Sequence, residues 1–505
     1  MSKQQLEELK RKYSAQAGLQ SVVSNKKLIT EIKKESGNPA SLSRLLVQKL
    51  RKSAGRSMSG ISVIAVMLPP VSCPYQCAYC PSSSIAAKSY TGYEPAALRA
   101  RQNDFDAFKQ VSARLKQFED NGHDPQKCEL IVMGGTFNTL SIEFQKFFVK
   151  RAFDAFNQAS SATLEEALRL NENSARRVVA MTIETRPDWA GEEQVRHLME
   201  MGMTRIELGV QSLDDEVLVR VKRGHGVREV VEATQNCKDA FLKVGYHMMP
   251  GLFSTTEKDV GMAKRLFEEP GFKPDMLKIY PTLVIPGTEL HELWEKGNFQ
   301  PYDEETAVEA IARIKQFVPE YCRIMRIDRD IPTPQIAAGV KKTNLRELVK
   351  RKCVELGINC RCIRCREVGL KQWKQNKKID LTRAELKKLE YEASGGREVF
   401  IDFEIEEEDA LVAFLRLRIP SNFEENKVMG VRELRVYGEQ VPIGQPAIES
   451  AAQHKSFGKK LMQEAEELAR ERGAEELWVT SGVGVREYYR KRGYERKGVY
   501  MAKLL

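Results

Sequence analysis

The chain has 505 residues, of which 42% are hydrophobic, and its formal net charge is +10 at pH 7. A chain of this length does not fold around one hydrophobic core, so we expect about three structural units. No apolar run is long enough to cross a bilayer, and the N-terminus has no signal-peptide core. These features exclude a membrane-spanning protein and predict a cytoplasmic one.

The positive charge is concentrated in two blocks. Residues 1–60 carry 13 Lys or Arg against 4 Asp or Glu, and residues 341–390 carry 16 against 6. Clustered cations neutralise nucleic-acid phosphates and release counterions, which gives affinity. The alternative is that both blocks are solvated helical faces. Because there are two blocks, the sequence favours an RNA or DNA partner.

Residues 61–335 alternate between apolar, β-rich runs and stretches with helical periodicity. Continuous apolar strands separated by helices are typical of parallel β/α units that are covered on both faces. The pattern predicts a partial (β/α) barrel, with its chemistry at the carboxyl ends of the strands. The predicted strands are ISVIAVM (61–67), CELIVMGG (128–135), VVAMTIET (178–185), TRIELGVQS (204–212), DMLKIYPTLVI (275–285) and CRIMRI (322–327).

The rest of the chain divides into three further segments. Residues 1–60 form a basic N-terminal segment predicted to bind RNA, and residues 336–395 form a basic linker that contains CRCIRC. Residues 396–505 show consecutive strands, an amphipathic helix, another strand, a short helix and a final strand. This order predicts a separate α+β domain. We therefore expect an α/β protein in which a partial barrel is followed by an α+β domain.

Three cysteines, Cys73, Cys77 and Cys80, lie in the stretch CPYQCAYC after the first predicted strand. Thiolates at this spacing suit a [4Fe–4S] cluster, in which three ligands leave one iron open to a small molecule. The alternatives are a zinc site that borrows a distant ligand, or reduced structural cysteines. The CxxxCxxC pattern, with Tyr79 before the last cysteine, resembles the radical SAM superfamily. The resemblance implies that S-adenosylmethionine (SAM) binds the open iron and is cleaved to a 5′-deoxyadenosyl radical.

Glycines and polar residues follow the later predicted strands. Gly134 and Gly135 follow the strand in IVMGG, and such a pair lets the backbone approach a ligand closely. In the radical SAM superfamily the corresponding motif meets the amino group of SAM. Glu184 and Gln211 end two later strands, where they either bond the cofactor or substrate or are ordinary polar residues of a strand end.

The segment QHKSFGKKL (453–461) lies between a strand and an amphipathic helix. A helix N-terminus presents unpaired N–H groups and a positive dipole end, which suit a pyrophosphate. The segment resembles the GNAT acetyltransferase motif Q/R-x-x-G-x-G/A, which binds the pyrophosphate of acetyl-CoA. Gln453 and Gly458 match this motif, and Ser456 replaces its first glycine.

A tandem pair, Tyr488 and Tyr489, follows in EYYRKRGY. Tyr489 falls where GNAT enzymes hold a tyrosine near the CoA sulfur, able to protonate a leaving thiolate. The alternative is that both tyrosines pack the helix. We expect the pair to be divided, with one ring in the core and one at the site.

A second group of three thiols, Cys360, Cys362 and Cys365, lies in the basic linker. The predicted use is a structural zinc ion that closes a loop, with a fourth ligand from elsewhere. Cys322 and Cys353 are candidates for that ligand. The alternative is a basic turn with reduced cysteines.

A radical SAM domain followed by a GNAT domain closely resembles the catalytic subunit of Elongator, a family of tRNA wobble-uridine acetyltransferases. The resemblance covers nearly the whole chain from about residue 55. The motifs that carry it include SYTGYEP (89–95), IVMGGTF (131–137), TIETRPD (182–188), RGHGV (223–227), HMMPGL (247–252), LKIYPTLVIPGT (277–288), RDIPTP (329–334), RELRVYG (432–438) and SGVGVREYYRKRGY (481–494).

The resemblance also implies the site residues. The cluster ligands are Cys73, Cys77 and Cys80, and Gly134 and Gly135 meet SAM. The implied acetyl-CoA contacts are Lys127, Glu433, Leu434, Arg435, Val436, Phe457, Gly458, Lys459 and Tyr489, with Tyr489 as the catalytic residue. Because Lys127 lies in the barrel, its contact with CoA requires the two sites to face one another.

The activity implied by the resemblance joins both domains. The adenosyl radical removes a hydrogen atom from the acetyl methyl group, the carbon radical adds to C5 of the wobble uridine, and thioester hydrolysis leaves 5-carboxymethyluridine. The implied partners are the anticodon stem-loop of tRNA, held by the basic segments, and an electron donor. No Elongator-type accessory subunits are evident from the sequence, which favours the stand-alone archaeal or bacterial type.

Two other functions are compatible with parts of the sequence. A protein lysine acetyltransferase would use the GNAT domain and keep the iron–sulfur cluster for structure. It would not need the complete three-cysteine SAM motif. A nucleic-acid-binding scaffold with vestigial sites is the third hypothesis, and Ser456 in the pyrophosphate motif favours it.

Overall fold

The computed structural model describes residues 3–35, 46–47, 49–52, 60–71, 73–328, 331–438 and 456–505. The predicted motif residue Gln453 lies outside the described residues. Two seven-stranded sheets dominate the described part of the chain, and each has helices packed against it. In the described residues, no helix has the length and apolar character needed to span a membrane.

The first sheet is entirely parallel, and its strands lie side by side in chain order. Its first and last strands do not pair with each other among the described residues, so the barrel is open. This confirms the predicted partial (β/α) barrel. The strands are β1 (Ser62–Met67), β2 (Lys127–Met133), β3 (Arg177–Thr185), β4 (Arg205–Gln211), β5 (Lys243–Met248), β6 (Met276–Ile279) and β7 (Arg323–Ile327).

Helices of the N-terminal segment and the barrel come before the second sheet. They are α1 (Lys3–Gln16), α2 (Asn25–Glu35), α3 (Pro95–Gln102), α4 (Ala107–Asp120), α5 (Ile142–Asn157), α6 (Leu164–Asn171), α7 (Glu192–Glu200), α8 (Asp215–Arg220), α9 (Val227–Asp239), α10 (Thr256–Glu268), α11 (Glu289–Glu295), α12 (Glu304–Ile314), α13 (Leu345–Glu355), α14 (Ile363–Arg366) and α15 (Val368–Gln375). Several begin at a Ser, Thr or Asp whose side chain accepts a hydrogen bond from a backbone N–H, as at Asp106 before α4.

The concave face of the barrel, which we call the lumen, is lined by polar side chains. Side chains alternate between the two faces of a strand, so Arg205, Glu207 and Gln211 of β4 share one face. Lys243, the first residue of β5, is the register partner of Arg205, so its side chain lies on the same face of the sheet. The lumen thus has a mouth at the amino ends of the strands and a second end at their carboxyl ends.

The second sheet is mixed and has the order β13-β14-β12-β11-β10-β9-β8. It confirms the predicted α+β domain. Its strands are β8 (Glu385–Ala393), β9 (Gly396–Ile405), β10 (Ala410–Ile419), β11 (Val428–Val436), β12 (Glu476–Val479), β13 (Glu495–Lys497) and β14 (Tyr500–Leu504). Its helices are α16 (Phe423–Asn426), α17 (Phe457–Glu471) and α18 (Arg486–Arg490). The sheet begins at Glu385, within the segment predicted as linker.

The two domains are joined by tight packing and by buried ion pairs. Gly430 of β11 lies so close to Phe241 that a Cβ atom would collide with the ring, and Gly482 abuts the backbone of Val179 in β3 in the same way. Small residues at these two points therefore allow the second domain to dock directly on the barrel.

Candidate functional site

The loop that carries Cys73, Cys77 and Cys80 lies at the carboxyl ends of the barrel strands. Its backbone is tied to neighbouring loops, since Ala78 N–H donates to the carbonyl of Val221 at 3.0 Å. Strand ends of a parallel barrel converge on one edge, so the thiols lie beside side chains from distant parts of the sequence.

Two arginines point at the sulfur of Cys77. Arg186 Nη1 lies 3.8 Å and Arg223 Nη1 3.5 Å from Cys77 Sγ. Arg186 is fixed by a two-pronged pair with Asp188, at 2.9 Å for each bond. Positive charge at this distance stabilises a thiolate and the net negative charge of a thiolate-bound cluster. The donor set therefore fits an iron–sulfur cluster.

The spacing of the three sulfurs differs from that of the second cysteine group. The thiols of Cys360, Cys362 and Cys365 lie within 4.8 Å of one another, whereas those of the 73–80 loop, which the structure describes, do not meet this limit. Ligands of a single tetrahedral zinc ion are about 3.8 Å apart, given Zn–S bonds of about 2.3 Å. The wider spacing in the 73–80 loop suits a polynuclear cluster better than a single ion.

A cavity of about 90 Å³ lies between the cysteines and the carboxyl ends of the strands. Gly135, Glu184 and Gln211, all predicted site residues, line it. Gly134 has φ +116°, and a Cβ there would lie 2.8 Å from the Ala87 Cβ, so no larger residue fits. The structure therefore brings the predicted glycine pair and both strand-end polar residues to the cysteine loop.

Gln211 has an unusual backbone and an unsatisfied side chain. Its φ is +72°, a region that non-glycine residues rarely occupy. Its buried Oε1 has no hydrogen-bond partner among the described residues. Strain and an unpaired acceptor together are typical of a ligand-binding position rather than of a packing residue.

Five polar side chains form a network in the lumen, and four of them also line this cavity. Lys278 Nζ lies 3.0 Å from Glu184 Oε1 and also pairs closely with Glu207. His247 Nε2 lies 3.1 Å from Glu207 Oε2, and Tyr90 Oη donates to Glu184 Oε2 at 3.1 Å. The two glutamates and the histidine have the ligand types of a metal site. The Lys278 ammonium pairs with both carboxylates, and Arg205 adds a second cation 3.1 Å from Glu207, so protein cations already offset the two negative charges.

The electrostatics of this network follow from burial and close charges. The ammonium of Lys278 and the guanidinium of Arg205 hold the pKa of Glu207 well below its usual range, against the opposing effect of burial. Burial and Lys278 lower the pKa of His247, so its imidazole is neutral near pH 7. The network therefore presents an ammonium, two carboxylates and a neutral imidazole to the lumen.

In the second domain, β11 separates from its neighbour β12 halfway along its length. The two strands pair in parallel only from Val428 to Val431, and a bulge then interrupts the β11–β10 register between Arg416 and Leu417. The last three residues of β11 are half-exposed, in contrast to the buried start of the strand. The edge of Glu433–Val436 that faces away from β10 is thus open to an extended ligand.

The N-terminus of α17 lies against this open edge. A Cβ on Gly458 would lie 3.7 Å from Val436 and 3.9 Å from Leu434. Ser456 precedes the helix in the left-handed conformation, with φ +62°. Phe457 is buried against Phe403, at 5.0 Å between ring centroids, and Lys459 is exposed. The predicted residues Leu434, Val436 and Gly458 therefore lie next to one another, and we call the surface between the β11 edge and the start of α17 the groove.

The tyrosine pair divides between core and groove. Tyr489 is buried, packs on Tyr494 with centroids 5.9 Å apart, and burial raises the pKa of its hydroxyl. Tyr488 is half-buried, and its hydroxyl lies 3.0 Å from the position of a Cβ on Gly458. Both phenols are protonated near neutral pH, as a proton donor requires. The structure thus sets Tyr488 beside the helix N-terminus, whereas the predicted Tyr489 packs in the core behind it, with ring centroids 5.1 Å apart.

Lys127 is the first residue of β2 and therefore lies at the amino end of the lumen, on the side of the second domain. Its register partner is Arg177, whose Cβ contacts the second domain at Gly484. Burial lowers the pKa of Lys127. The residue is therefore at the junction of the two domains, while the cysteine loop lies at the opposite end of the barrel.

The linker cysteines Cys360, Cys362 and Cys365 surround a common point. Hydrogen bonds from Cys360 and Cys365 hold the pKa of the Cys362 thiol well below its usual value. Lys315 Nζ lies 3.9 Å from Cys365 Sγ. Neither candidate for a fourth ligand, Cys322 or Cys353, belongs to the close group within the described residues.

Several residues of the site did not stand out in the sequence. These are Arg186, Arg223, Glu207, His247 and Lys278. Arg186 follows the predicted strand 178–185, and Glu207 and Lys278 lie within predicted strands, so these three positions gave a signal. Arg223 follows α8, and His247 lies in β5, which was not among the predicted strands. Their partners come from other strands, so the contacts could not be read from local spacing.

Comparisons with known proteins agree with this architecture. Residues 67–267 match the radical SAM superfamily, residues 274–355 match the radical SAM C-terminal domain, and residues 369–494 match the GNAT acetyltransferase family.

Full-length relatives extend the match over most of the chain. The tRNA uridine(34) acetyltransferase of Methanocaldococcus jannaschii is 47% identical, over 92% of this chain and 88% of that protein. The protein of that name from Dehalococcoides mccartyi is 45% identical, over 90% and 100% respectively. Elongator complex protein 3 of Homo sapiens is 41% identical, over 92% and 88%.

A solved structure extends the agreement to three dimensions. The archaeal Methanocaldococcus infernus Elp3 with an N-terminal deletion is 45% identical, with a TM-score of 0.80 over 89% of this chain and 100% of that one. The predicted resemblance to the Elongator catalytic subunit is thus confirmed. The chain belongs to the family of the tRNA uridine(34) acetyltransferases and Elongator complex protein 3.

Proposed function

We propose that this protein is a tRNA uridine(34) acetyltransferase. It transfers the acetyl group of acetyl-CoA to C5 of the wobble uridine, and thioester hydrolysis then leaves 5-carboxymethyluridine and CoA. The proposal is supported by relatives of that name at 45–47% identity over most of the chain. It is also supported by the presence of a radical SAM domain and a GNAT domain in one polypeptide.

One observation carries the proposal: the cysteine loop lies at the carboxyl ends of the barrel strands, and β11 of the second domain packs at their amino ends, where Arg432 donates to the carbonyl of Leu242 at 2.6 Å. Strand β4 extends along the lumen from Arg205 to Gln211, which corresponds to about 20 Å. A protein acetyltransferase has no use for such a connection. An enzyme that must bring an acetyl methyl group to a radical source requires it.

The proposed cofactors at the cysteine loop are a [4Fe–4S] cluster on Cys73, Cys77 and Cys80 and a SAM molecule beside Gly134 and Gly135. When bound, they supply the radical that removes hydrogen from the unactivated methyl group. The chain's own residues hold this site: Arg186 and Arg223 offset the charge at Cys77, and Gly135 lines the cavity beside the cysteine loop.

The proposed acetyl-CoA site is the groove in the second domain. The free backbone edge of Glu433–Val436 pairs with the pantetheine arm, and the N–H groups of Phe457–Lys459 bind the pyrophosphate. Lys127 approaches from the barrel. Tyr489 protonates the leaving thiolate, and Tyr488 lies beside Gly458 at the pyrophosphate end of the site.

The proposed tRNA contacts are the basic segments, which neutralise anticodon stem-loop phosphates. A groove of about 530 Å³ between the N-terminal segment and α4 has four basic residues on its wall, Lys26, Lys52, Arg99 and Lys116. Such a groove can follow a backbone without reading its sequence. The electron for the cluster comes from a separate donor.

The linker cysteines form the proposed structural zinc site. Cys360, Cys362 and Cys365 supply three thiolates, and the fourth ligand comes from outside this group. A zinc ion here closes the loop between α13 and α15, and so orders the segment between the two domains.

Nucleoside mass spectrometry tests the proposed function. The anaerobically purified protein is incubated with unmodified tRNA, reductant, SAM and acetyl-CoA, and the expected product is 5-carboxymethyluridine at position 34. Omission of SAM or acetyl-CoA should abolish it. If the cluster and SAM cleavage are intact and no modified uridine forms, the proposal is wrong. Acetylation of lysines on added protein would then favour a protein acetyltransferase.

A further inference from the structure

Lys243, the first residue of β5, is largely buried, and its ammonium group has no partner among the described residues. The residue is 8% exposed. Its Nζ makes no hydrogen bond or ion pair within the part of the chain that the structure describes. Other buried lysines are satisfied: Lys10 contacts Asn25 Oδ1 at 2.7 Å, and Lys238 contacts the Lys273 carbonyl at 2.7 Å.

An unpaired buried ammonium is costly. Transfer of a charged group away from water is compensated in proteins by a close opposite charge or by hydrogen bonds. Here burial lowers the pKa of Lys243, and the nearest carboxylates do not reverse the effect. Glu433, the strongest of them, is already engaged by Arg416 Nε at 3.0 Å. The position therefore lacks an acceptor that a bound molecule can supply.

The location of Lys243 indicates which bound molecule supplies this acceptor. The side chain shares the lumen face with Arg205, its register partner, and lies at the mouth that the second domain covers. Arg432 of β11 donates to the carbonyl of Leu242, the residue before Lys243, at 2.6 Å, so β11 packs against the start of β5. Lys243 therefore lies where the open edge of β11 meets the lumen.

Lys243 and the proposed pyrophosphate site lie at different positions along β11. Gly458 contacts the Val436 end of the strand, whereas the charge of Lys243 lies near Glu433. Three strand residues correspond to about 10 Å. An extended arm whose phosphates lie at α17 would thus bring its thioester end toward Lys243.

We propose that Lys243 Nζ donates a hydrogen bond to the thioester carbonyl oxygen of acetyl-CoA at the mouth of the lumen. This inference rests on the proposed function and adds a residue that recognises the acetyl group rather than the CoA body. A desolvated ammonium is a strong donor to a carbonyl oxygen. Free CoA has no such oxygen, so the contact discriminates acetyl-CoA from the product thiol.

The test compares Lys243→Met with Lys238→Met, a buried lysine at the same domain junction whose ammonium is satisfied. Affinities for acetyl-CoA and free CoA are measured by calorimetry on the full chain, together with the thermal midpoint. We expect Lys243→Met to weaken acetyl-CoA binding about ten- to hundredfold and CoA binding little. Its thermal midpoint should be unchanged or higher, because an unpaired charge is removed. Lys238→Met should lower the midpoint and leave the acetyl-CoA preference intact.

Lys243→Gln provides a second measurement, since it keeps a donor and should retain part of the preference for acetyl-CoA. Equal affinities of wild type and Lys243→Met for acetyl-CoA would overturn this inference but not the proposed function. Equal losses for acetyl-CoA and CoA would overturn the carbonyl assignment. Unfolding of both Lys243 variants would assign the lysine a structural role and also overturn it. A wild-type protein that binds no acetyl-CoA would contradict the proposed function itself.

Discussion

Arg432 of β11 donates two hydrogen bonds to the carboxylate of Asp275, at 2.6 Å to Oδ1 and 2.7 Å to Oδ2, although the residues belong to different domains. Both side chains are fully buried. Arg416 adds a second cation, 3.4 Å from Oδ1. These positive charges hold the pKa of Asp275 well below its usual value, so the carboxylate remains charged at the domain junction.

Asp275→Asn should destabilise the protein strongly, because it leaves two buried guanidinium groups without their counter-charge. Removal of one partner of a buried pair costs about 3–5 kcal/mol. Denaturant unfolding measures the change. As a control, Glu289→Gln removes an exposed pair with Lys222 and should cost less than about 1 kcal/mol. Equal effects of the two changes would contradict a role of Asp275 in joining the domains.

Cys77→Ala should abolish the iron chromophore and SAM cleavage, since it removes one of three ligands. Absorbance and iron analysis of anaerobically purified protein, with detection of 5′-deoxyadenosine, provide the measurement. Cys237→Ala is a suitable control because Cys237 is a buried cysteine in α9, away from both cysteine groups. If the Cys77 variant kept its iron and its SAM cleavage, the cluster assignment would fail.

Ser456→Gly should stabilise the protein and tighten acetyl-CoA binding. Ser456 has φ +62°, and a non-glycine residue in this conformation costs roughly 1 kcal/mol. Glycine relieves that strain but loses more entropy on folding, so the expected net gain is about 0.5 kcal/mol.

Lys427→Gly is the matched control, since Lys427 also has a positive φ, +50°, but lies at the other end of β11. It should leave the dissociation constant for acetyl-CoA unchanged. An unchanged constant in Ser456→Gly as well would mean that the departure from the GNAT motif is harmless.

Asp402 should make stability depend on pH. The residue is 2% exposed, and burial raises the pKa of its carboxyl from 3.8 to about 7. Between these values the folded state keeps a proton that the unfolded state has lost, so stability falls as pH rises from about 4 to about 7.

Asp402→Asn removes this proton exchange. Its stabilisation relative to wild type should be small near pH 4 and grow by up to about 1.4 kcal/mol for each pH unit up to pH 7. Urea unfolding across this range measures the difference. Glu424→Gln, at an exposed glutamate of the same domain, should show no such growth. A gain for Asp402→Asn that is independent of pH would show that its carboxyl has an ordinary pKa.

Replacement of Lys26, Lys52 and Lys116 by Gln should weaken tRNA binding and reduce its salt dependence. Each lost phosphate contact lowers the slope of log affinity against log salt by about one. Binding titrations at several salt concentrations provide the slope. The control replaces the exposed lysines Lys264 and Lys296, far from this groove along the chain. Equal slopes for the two sets would refute a phosphate role for the groove.

Local spacing in the sequence was sufficient to identify the fold class and the main motifs. The cysteine loop, the glycine pair after β2 and the alternation of strands and helices depend on neighbours within a few residues. The periods of helices and strands set these patterns, so they can be read from the sequence without the tertiary structure. The predicted partial barrel, the α+β domain and the family resemblance were therefore confirmed.

Contacts between distant residues could not be obtained in this way. The pairing of Arg432 with Asp275, the Lys278 network and the separation of β11 from β12 depend on which strands become neighbours. The lack of a partner for Lys243 within the described part of the chain is also a property of the assembled domains. Burial and charge at these positions arise when both sheets close around the lumen, because only then is water excluded from side chains that the sequence presents as ordinary lysines, arginines and carboxylates.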